Sequence, residues 1–290
     1  MVIPLPEEFS YELAVSFLKR SPRELLHREK NEVVTKAMRV GNDVFVFSIY
    51  HKTGDLIVEF LKGQPDETQQ KEIVQYVREW FDIDTDLRPF YALARKDELL
   101  RDLIKKYRGY RIIGQPDLFE SLIWAVLGQQ INLAFAYGLK QQFVERFGET
   151  VEVSREKFYL FPSPAAIARL SPEHLLPLQF SRQKAAYTIG IANAFVDGRI
   201  SKEKLKGLTL NEAKAELIKI KGIGNWTANY ALMKTFRRPD AFPLEDAVLH
   251  NAIKNQLNLK AKPKPESVKK IFKKYKGWEA YATLYLWKSS

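Results

Sequence analysis

Three features between Ile218 and Asp246 could do chemistry together: a glycine hairpin, an aromatic pair and an acid. The hairpin is Lys221-Gly222-Ile223-Gly224, set between a helix-forming stretch, Asn211–Ile220, and a second helix from Asn225. Two glycines around one apolar residue allow a tight turn, because glycine accepts positive φ without a Cβ penalty. The second helix then opens with free backbone N–H groups, a site suited to a phosphate. Trp226 and Tyr230 lie four apart on that helix, opposite a stripe of Ala228, Ala231, Leu232, Thr235 and Phe236. Either the helix is buried on both sides, or the two rings form a pocket wall that stacks on a flat, electron-poor ring. Asp246 precedes an apolar helical pattern (Val248, Leu249, Ala252, Ile253, Leu257), where an aspartate could simply cap the helix. A carboxylate beside such a pocket could also stabilise developing positive charge and orient a water. Glu245 and Asp246 point in different directions, so only one can face a pocket, and spacing does not choose between them. His250, one turn on and without partners, reads as a surface or packing residue.

The elements that must position these residues are mostly helical. Leu118–Leu127, Leu133–Phe147, Pro164–Leu170, Arg182–Asp197, Asn211–Ile220, Trp226–Phe236, Asp246–Leu257 and Pro265–Lys274 have helical patterns separated by Gly, Pro or Ser. Ser163-Pro164 and Ser171-Pro172 read as N-caps with proline in the first turn. Ahead of them, residues 32–62 read as strands: 44–49 and 56–61 are apolar and rich in β-formers, with Lys52-Thr53-Gly54 as the turn. An amphipathic helix, Lys71–Phe81, follows. The expected organisation is α+β: residues 1–88 as a small domain with an antiparallel sheet and helices, then an all-α body over 89–290. Within that body one lobe spans 115–236, with the hairpin at 220–225, and the other joins 89–114 to 237–290.

Composition narrows the partners. The net charge of +11 is uneven: residues 251–290 hold ten lysines and two acids, an excess that suits either a polyanion or a solvated helix face. No run of about 18 apolar residues suggests a membrane span, and the start lacks a basic segment followed by an apolar one. With no cysteine there is no disulfide, thiolate metal site or iron–sulfur cluster. A cytoplasmic protein is expected, nucleoid-associated if bacterial.

The stretch GIGNWTANY followed by FPLEDAVL resembles the helix-hairpin-helix superfamily of DNA glycosylases, and within it the 3-methyladenine DNA glycosylase II, or alkylation-repair, branch. Other stretches agree in order: Phe119-Glu120 with Leu127-Gly128-Gln129-Gln130, Phe161-Pro162-Ser163-Pro164, Arg182-Gln183-Lys184-Ala185, and Tyr281 to Trp287 as the closing helix. The likeness is strong over about residues 110–290, and the N-terminal unit matches more loosely that branch's TATA-binding-protein-like domain. The resemblance implies Asp246 as the catalytic acid and Trp226, Tyr230 and Trp287 as the lining of a base pocket. It implies that Lys221, Gly222, Ile223, Gly224 and Asn225 bind phosphate, with hairpin carbonyls able to take a monovalent cation, and that Gln130 stands at the DNA-inserting wedge, where some relatives carry an apolar residue. Trp226 occupies the position where glycosylase/lyases carry their nucleophilic lysine. The implied protein is a monofunctional, monomeric glycosylase acting on damaged double-stranded DNA, with no cofactor and no catalytic metal. Two rivals remain: a non-catalytic DNA-binding module, and an oxidised-guanine glycosylase/lyase using Lys219, Lys221 or Lys234.

Overall fold

The computed structural model describes residues 1–289. The N-terminal unit contains strand β1 (Val2–Pro4), helix α1 (Tyr11–Leu18), strands β2 (Arg28–Lys30), β3 (Val33–Val40), β4 (Asp43–Lys52) and β5 (Asp55–Lys62), and helix α2 (Glu67–Trp80). The five strands form one antiparallel sheet in the order β1-β5-β4-β3-β2. Thr53 and Gly54 both take positive φ in the β4–β5 turn, the conformation that suits a two-residue hairpin. Phe45, Phe47 and Ile49 alternate along β4 and pack with Ile73 and Val77 of α2. Helix α2 starts before the expected Lys71 because Asp66 and Gln69 form a reciprocal capping box.

The body follows as α3 (Arg88–Ala94), α4 (Arg101–Lys106), α5 (Leu118–Gly128), α6 (Leu133–Phe147), strands β6 (Glu149–Val153) and β7 (Glu156–Leu160), and then α7 (Pro164–Ala168), α8 (Arg182–Val196), α9 (Lys202–Lys206) and α10 (Leu210–Ile218). It closes with α11 (Asn225–Phe236), α12 (Ala247–Gln256), α13 (Pro265–Phe272) and α14 (Glu279–Lys288). A single hydrophobic cluster runs from Leu87 to Leu286, so the two expected lobes share one core. Ten consecutive residues of α5, Leu118–Leu127, are buried at its centre. No helix among the described residues is long and apolar enough to cross a membrane.

Two local expectations need correction. The body is not purely helical: β6 and β7 form a hairpin whose Phe158 packs on Ala37 and Val46, covering the sheet face that α2 leaves free. Its turn residues, Ser154 and Arg155, take positive φ without glycine or asparagine, so the usual signal for a hairpin is missing. Ser171-Pro172 opens only a short 3₁₀ turn, Pro172–His174. Of the apolar pattern in α12, Val248 is 47% exposed, while Leu249, Ala252 and Ile253 are buried.

Two polar clusters join unit to body. Arg111 donates through Nη1 to the carbonyls of Asp82 and Thr85, both at 2.7 Å, and through Nε to that of Glu8 at 3.1 Å. Lys140 of α6 bonds Glu24 of the N-terminal unit at 2.9 Å and Glu120 of α5 at 3.1 Å. Lys140, Glu24 and Glu120 are all nearly buried, which such charges tolerate only when paired.

Candidate active site

Helix α11 begins at Gly224, which has no side chain to cap it, so the first N–H groups of the helix are left for a ligand. Only one hairpin glycine is there for its conformation. Gly222 has φ +98, and a Cβ on it would meet Tyr187 Cγ at 2.3 Å. Gly224 is extended, and a Cβ there would meet nothing. The Ile223 side chain is buried in the core, leaving its backbone to the hairpin, while Lys221 and Asn225 are exposed. Gln130 is exposed with φ 56, at the turn between α5 and α6. Its neighbour Gln129 donates through Nε2 to the Gly222 carbonyl at 3.1 Å and to Thr227 Oγ1 at 3.0 Å, tying that turn to the hairpin.

The helix is buried nearly all round from Thr227 to Thr235, so the first of the two readings of its aromatic face is largely right. On the side away from the core stripe, Trp226 and Tyr230 pack with Trp287 into a small aromatic cluster of their own. Trp226 and Tyr230 stack with centroids 5.3 Å apart and planes 23° from parallel, and Trp287 of α14 leans on Tyr230 at 6.3 Å. Trp226 and Trp287 are each half-exposed, so the group retains an open side.

Asp246 completes it. The residue is indeed the N-cap of α12, its Oδ1 accepting from Leu249 N at 2.8 Å. The same oxygen accepts from Trp287 Nε1 at 2.9 Å, and Oδ2 accepts from Trp226 Nε1 at 3.0 Å. Two indoles from different helices thus aim one carboxylate, and Oδ2, with one protein donor, keeps a lone pair for a water or a sugar. Asn229 holds the loop before it, bonding Asn225 O through Nδ2 at 3.0 Å and accepting from Phe242 N at 3.1 Å. His250 Nε2 meets the Leu244 carbonyl at 2.7 Å, which gives this histidine a loop-fixing part. Glu245 is exposed and turned away.

Trp124 and Tyr137 belong to this assembly and carried no signal in the sequence, whereas Gln129 and Asn229 stand inside the stretches that carry the family likeness without a role of their own there. Trp124 Nε1 donates to Tyr230 OH at 3.0 Å, and its ring lies 4.8 Å from that of Tyr137. A tryptophan inside an apolar helix looks like core until its N–H partner, 106 residues away, is known.

Residues 123–277, which include the hairpin, the aromatic pair and Asp246, match the HhH-GPD superfamily of base excision DNA repair proteins. The chain belongs to that superfamily. Residues 24–122 of this glycosylase match the N-terminal domain family of 8-oxoguanine DNA glycosylase. The glycosylase is 44% identical over 293 residues to a DNA-3-methyladenine glycosylase of Bacillus subtilis, covering 99% of this chain and 96% of that one. It is 28% identical to DNA-3-methyladenine glycosylase 2 of Escherichia coli over 62% of this chain and 60% of that one. Among solved structures, the 3-methyladenine DNA-glycosylase from Archaeoglobus fulgidus superposes with a TM-score of 0.86 at 25% identity, over 99% and 97% of the two chains. The apo 8-oxoguanine glycosylase/lyase of Clostridium acetobutylicum shares the fold, with a TM-score of 0.77 at 18% identity over 100% and 95%.

Proposed function

We propose that this glycosylase removes alkylated purines, 3-methyladenine and 7-methylguanine among them, from duplex DNA by hydrolysis alone. The observation that carries the proposal is the Asp246 carboxylate aimed by Trp226 and Trp287 beside a stacked aromatic wall. The 3-methyladenine glycosylases of Bacillus subtilis and Archaeoglobus fulgidus, similar over nearly their full lengths, support the substrate class.

The steps follow from the residues. A base must leave the stack to be reached, which costs a few kcal/mol and least for a weakly paired lesion. Alkylation makes the purine cationic, and each π-face it meets contributes about 0.5–2 kcal/mol. The C1′–N bond then breaks, its electron pair leaving with the base, and positive charge spreads over C1′ and the ring oxygen. Asp246 stabilises that charge and orients a water, whose oxygen bonds C1′ while its proton passes to the carboxylate or to solvent. The hairpin amides and Lys221 grip a phosphate, a monovalent cation can sit on the hairpin carbonyls, and Gln130 enters the gap left by the flipped base. The enzyme acts as a monomer.

Trp226 supports a route without a Schiff base, since no lysine stands at that position. Lys219 is paired with Glu216 at 2.6 Å, and Lys234 is buried against the Ile113 carbonyl. The test is release of 3-methyladenine from methylated DNA. Asp246→Asn should lose on the order of 10²–10³-fold in rate, and borohydride should trap no covalent adduct. Full activity in the variant, or a trapped adduct, would refute the mechanism.

A further inference from the structure

A polar cavity that the mechanism does not use borders Tyr230 of the aromatic wall. It has a volume of about 40 Å³, and its lining includes Phe17, Arg20, Tyr137, Lys140, Tyr230 and Lys234. Such a space admits roughly two or three waters but not a whole purine. Its place is set by α11: Trp226 touches Asp246, Tyr230 is one turn further on, and Lys234 a turn beyond that. The cavity therefore extends from the aromatic wall in the direction away from Asp246.

Most of its cations are already committed. Lys140 bonds Glu24 and Glu120, Lys36 bonds the Leu26 carbonyl at 3.1 Å, and Lys234 bonds the Ile113 carbonyl. Arg20, just past the end of α1, is different. Its guanidinium lies over the Phe17 ring at 3.9 Å and donates Nε to Tyr137 OH at 2.5 Å. Among the described residues neither terminal amino group of Arg20 has a protein partner, and the residue is exposed to solvent although it lines the cavity. A planar donor fork is thus held in place by its stem and left open at its tip.

We propose that Arg20, supplied by the N-terminal unit, reads the C6 edge of the flipped purine and favours lesions with a carbonyl there. This rests on the base-pocket reading given above. A purine whose sugar carbon lies at Asp246 and whose face lies on Tyr230 directs its six-membered ring, the end opposite N9, toward this cavity. A guanidinium has donors only, so it pairs with O6 and leaves a C6 amino group facing another donor. It thereby favours 7-methylguanine over 3-methyladenine, and because both are cationic, the repulsion from Arg20 does not separate them. Hydrogen bonds from a charged donor support roughly ten- to hundredfold discrimination.

Methylated duplex DNA contains both lesions, so one assay reads the ratio of released 7-methylguanine to 3-methyladenine. Arg20→Met should lower that ratio at least tenfold. Tyr137→Phe, which frees the guanidinium from its anchor, should lower it in the same direction by less. An unchanged ratio in Arg20→Met overturns the proposal. So does an equal fall of both products with a weaker salt dependence of duplex binding, which would make Arg20 a phosphate contact. Thermal unfolding of each variant separates misfolding from misreading: Arg20 is exposed, so a large loss of Tm in Arg20→Met would assign it to packing instead. Wild-type release of 3-methyladenine without 7-methylguanine overturns this inference and leaves the alkylpurine function standing; release of neither overturns both.

Discussion

The Asp246 carboxylate is oriented by two indole N–H groups, at 3.0 and 2.9 Å, and each can be removed without removing its ring. Trp226→Phe and Trp287→Phe keep an aromatic face but delete a donor to a charged acceptor, an interaction of about 1.5–3 kcal/mol. Single-turnover excision should slow roughly ten- to hundredfold in each, with a smaller change in substrate affinity. A rate within twofold of wild type would mean that the indoles only stack. How much of this was legible follows from sequence separation. Asp246 and Trp226 are twenty residues apart and share one motif, so their partnership could be expected. Arg20 and Tyr137 are 117 residues apart, and neither stands in any periodic pattern that points at the other. Trp287 was reached through family likeness alone, since nothing in the spacing of α14 sets it apart from core.

At the scale of elements, the hairpin before α11 separates conformational need from functional need. Gly222→Ala places a Cβ against Tyr187 at positive φ, costing about 1–3 kcal/mol in backbone strain before any repacking. Its Tm should fall by several degrees. Gly224→Ala meets open space, so its Tm should change by less than the Gly222 variant's, yet on the proposed phosphate grip the added methyl should lower duplex affinity. Equal duplex affinity in Gly224→Ala and wild type would remove the hairpin from the DNA interface. Helices with caps and long apolar stripes were readable, with ends displaced by a few residues where a cap such as Asp66 decides. The β6–β7 hairpin was not, because Ser154 and Arg155 adopt its turn without the residues that announce one.

Across the whole molecule, the buried Glu24–Lys140–Glu120 cluster couples the N-terminal unit to the body and makes that coupling sensitive to acid. Burial alone would raise the Glu24 carboxyl, but the Lys140 ammonium, with help from His27 and the Leu26 amide, brings it down to about 2. A carboxylate lowered on folding contributes stability above its unfolded value near 4.5 and loses it as pH falls toward 2. The shift corresponds to roughly 3 kcal/mol. Glu24→Gln should therefore lower Tm at pH 7 and flatten its decline between about pH 5 and 3. Parallel acid limbs for variant and wild type, measured by calorimetry, would show that the pair is not the acid-labile contact. The two-unit organisation was visible from composition and pattern, whereas this seam was not: Lys140 and Glu24, which bridge it, lie 116 positions apart.

The Phe158 lid over Ala37 and Val46 also imposes an order on biosynthesis. On a ribosome adding 5–20 residues per second, strand β4 is finished roughly ten seconds before Phe158 is made. During that interval one face of the nascent sheet has no cover of its own. The N-terminal unit is in this sense completed by a segment translated long after it, and a fragment ending before residue 149 should depend on chaperones to stay in solution where the whole chain does not.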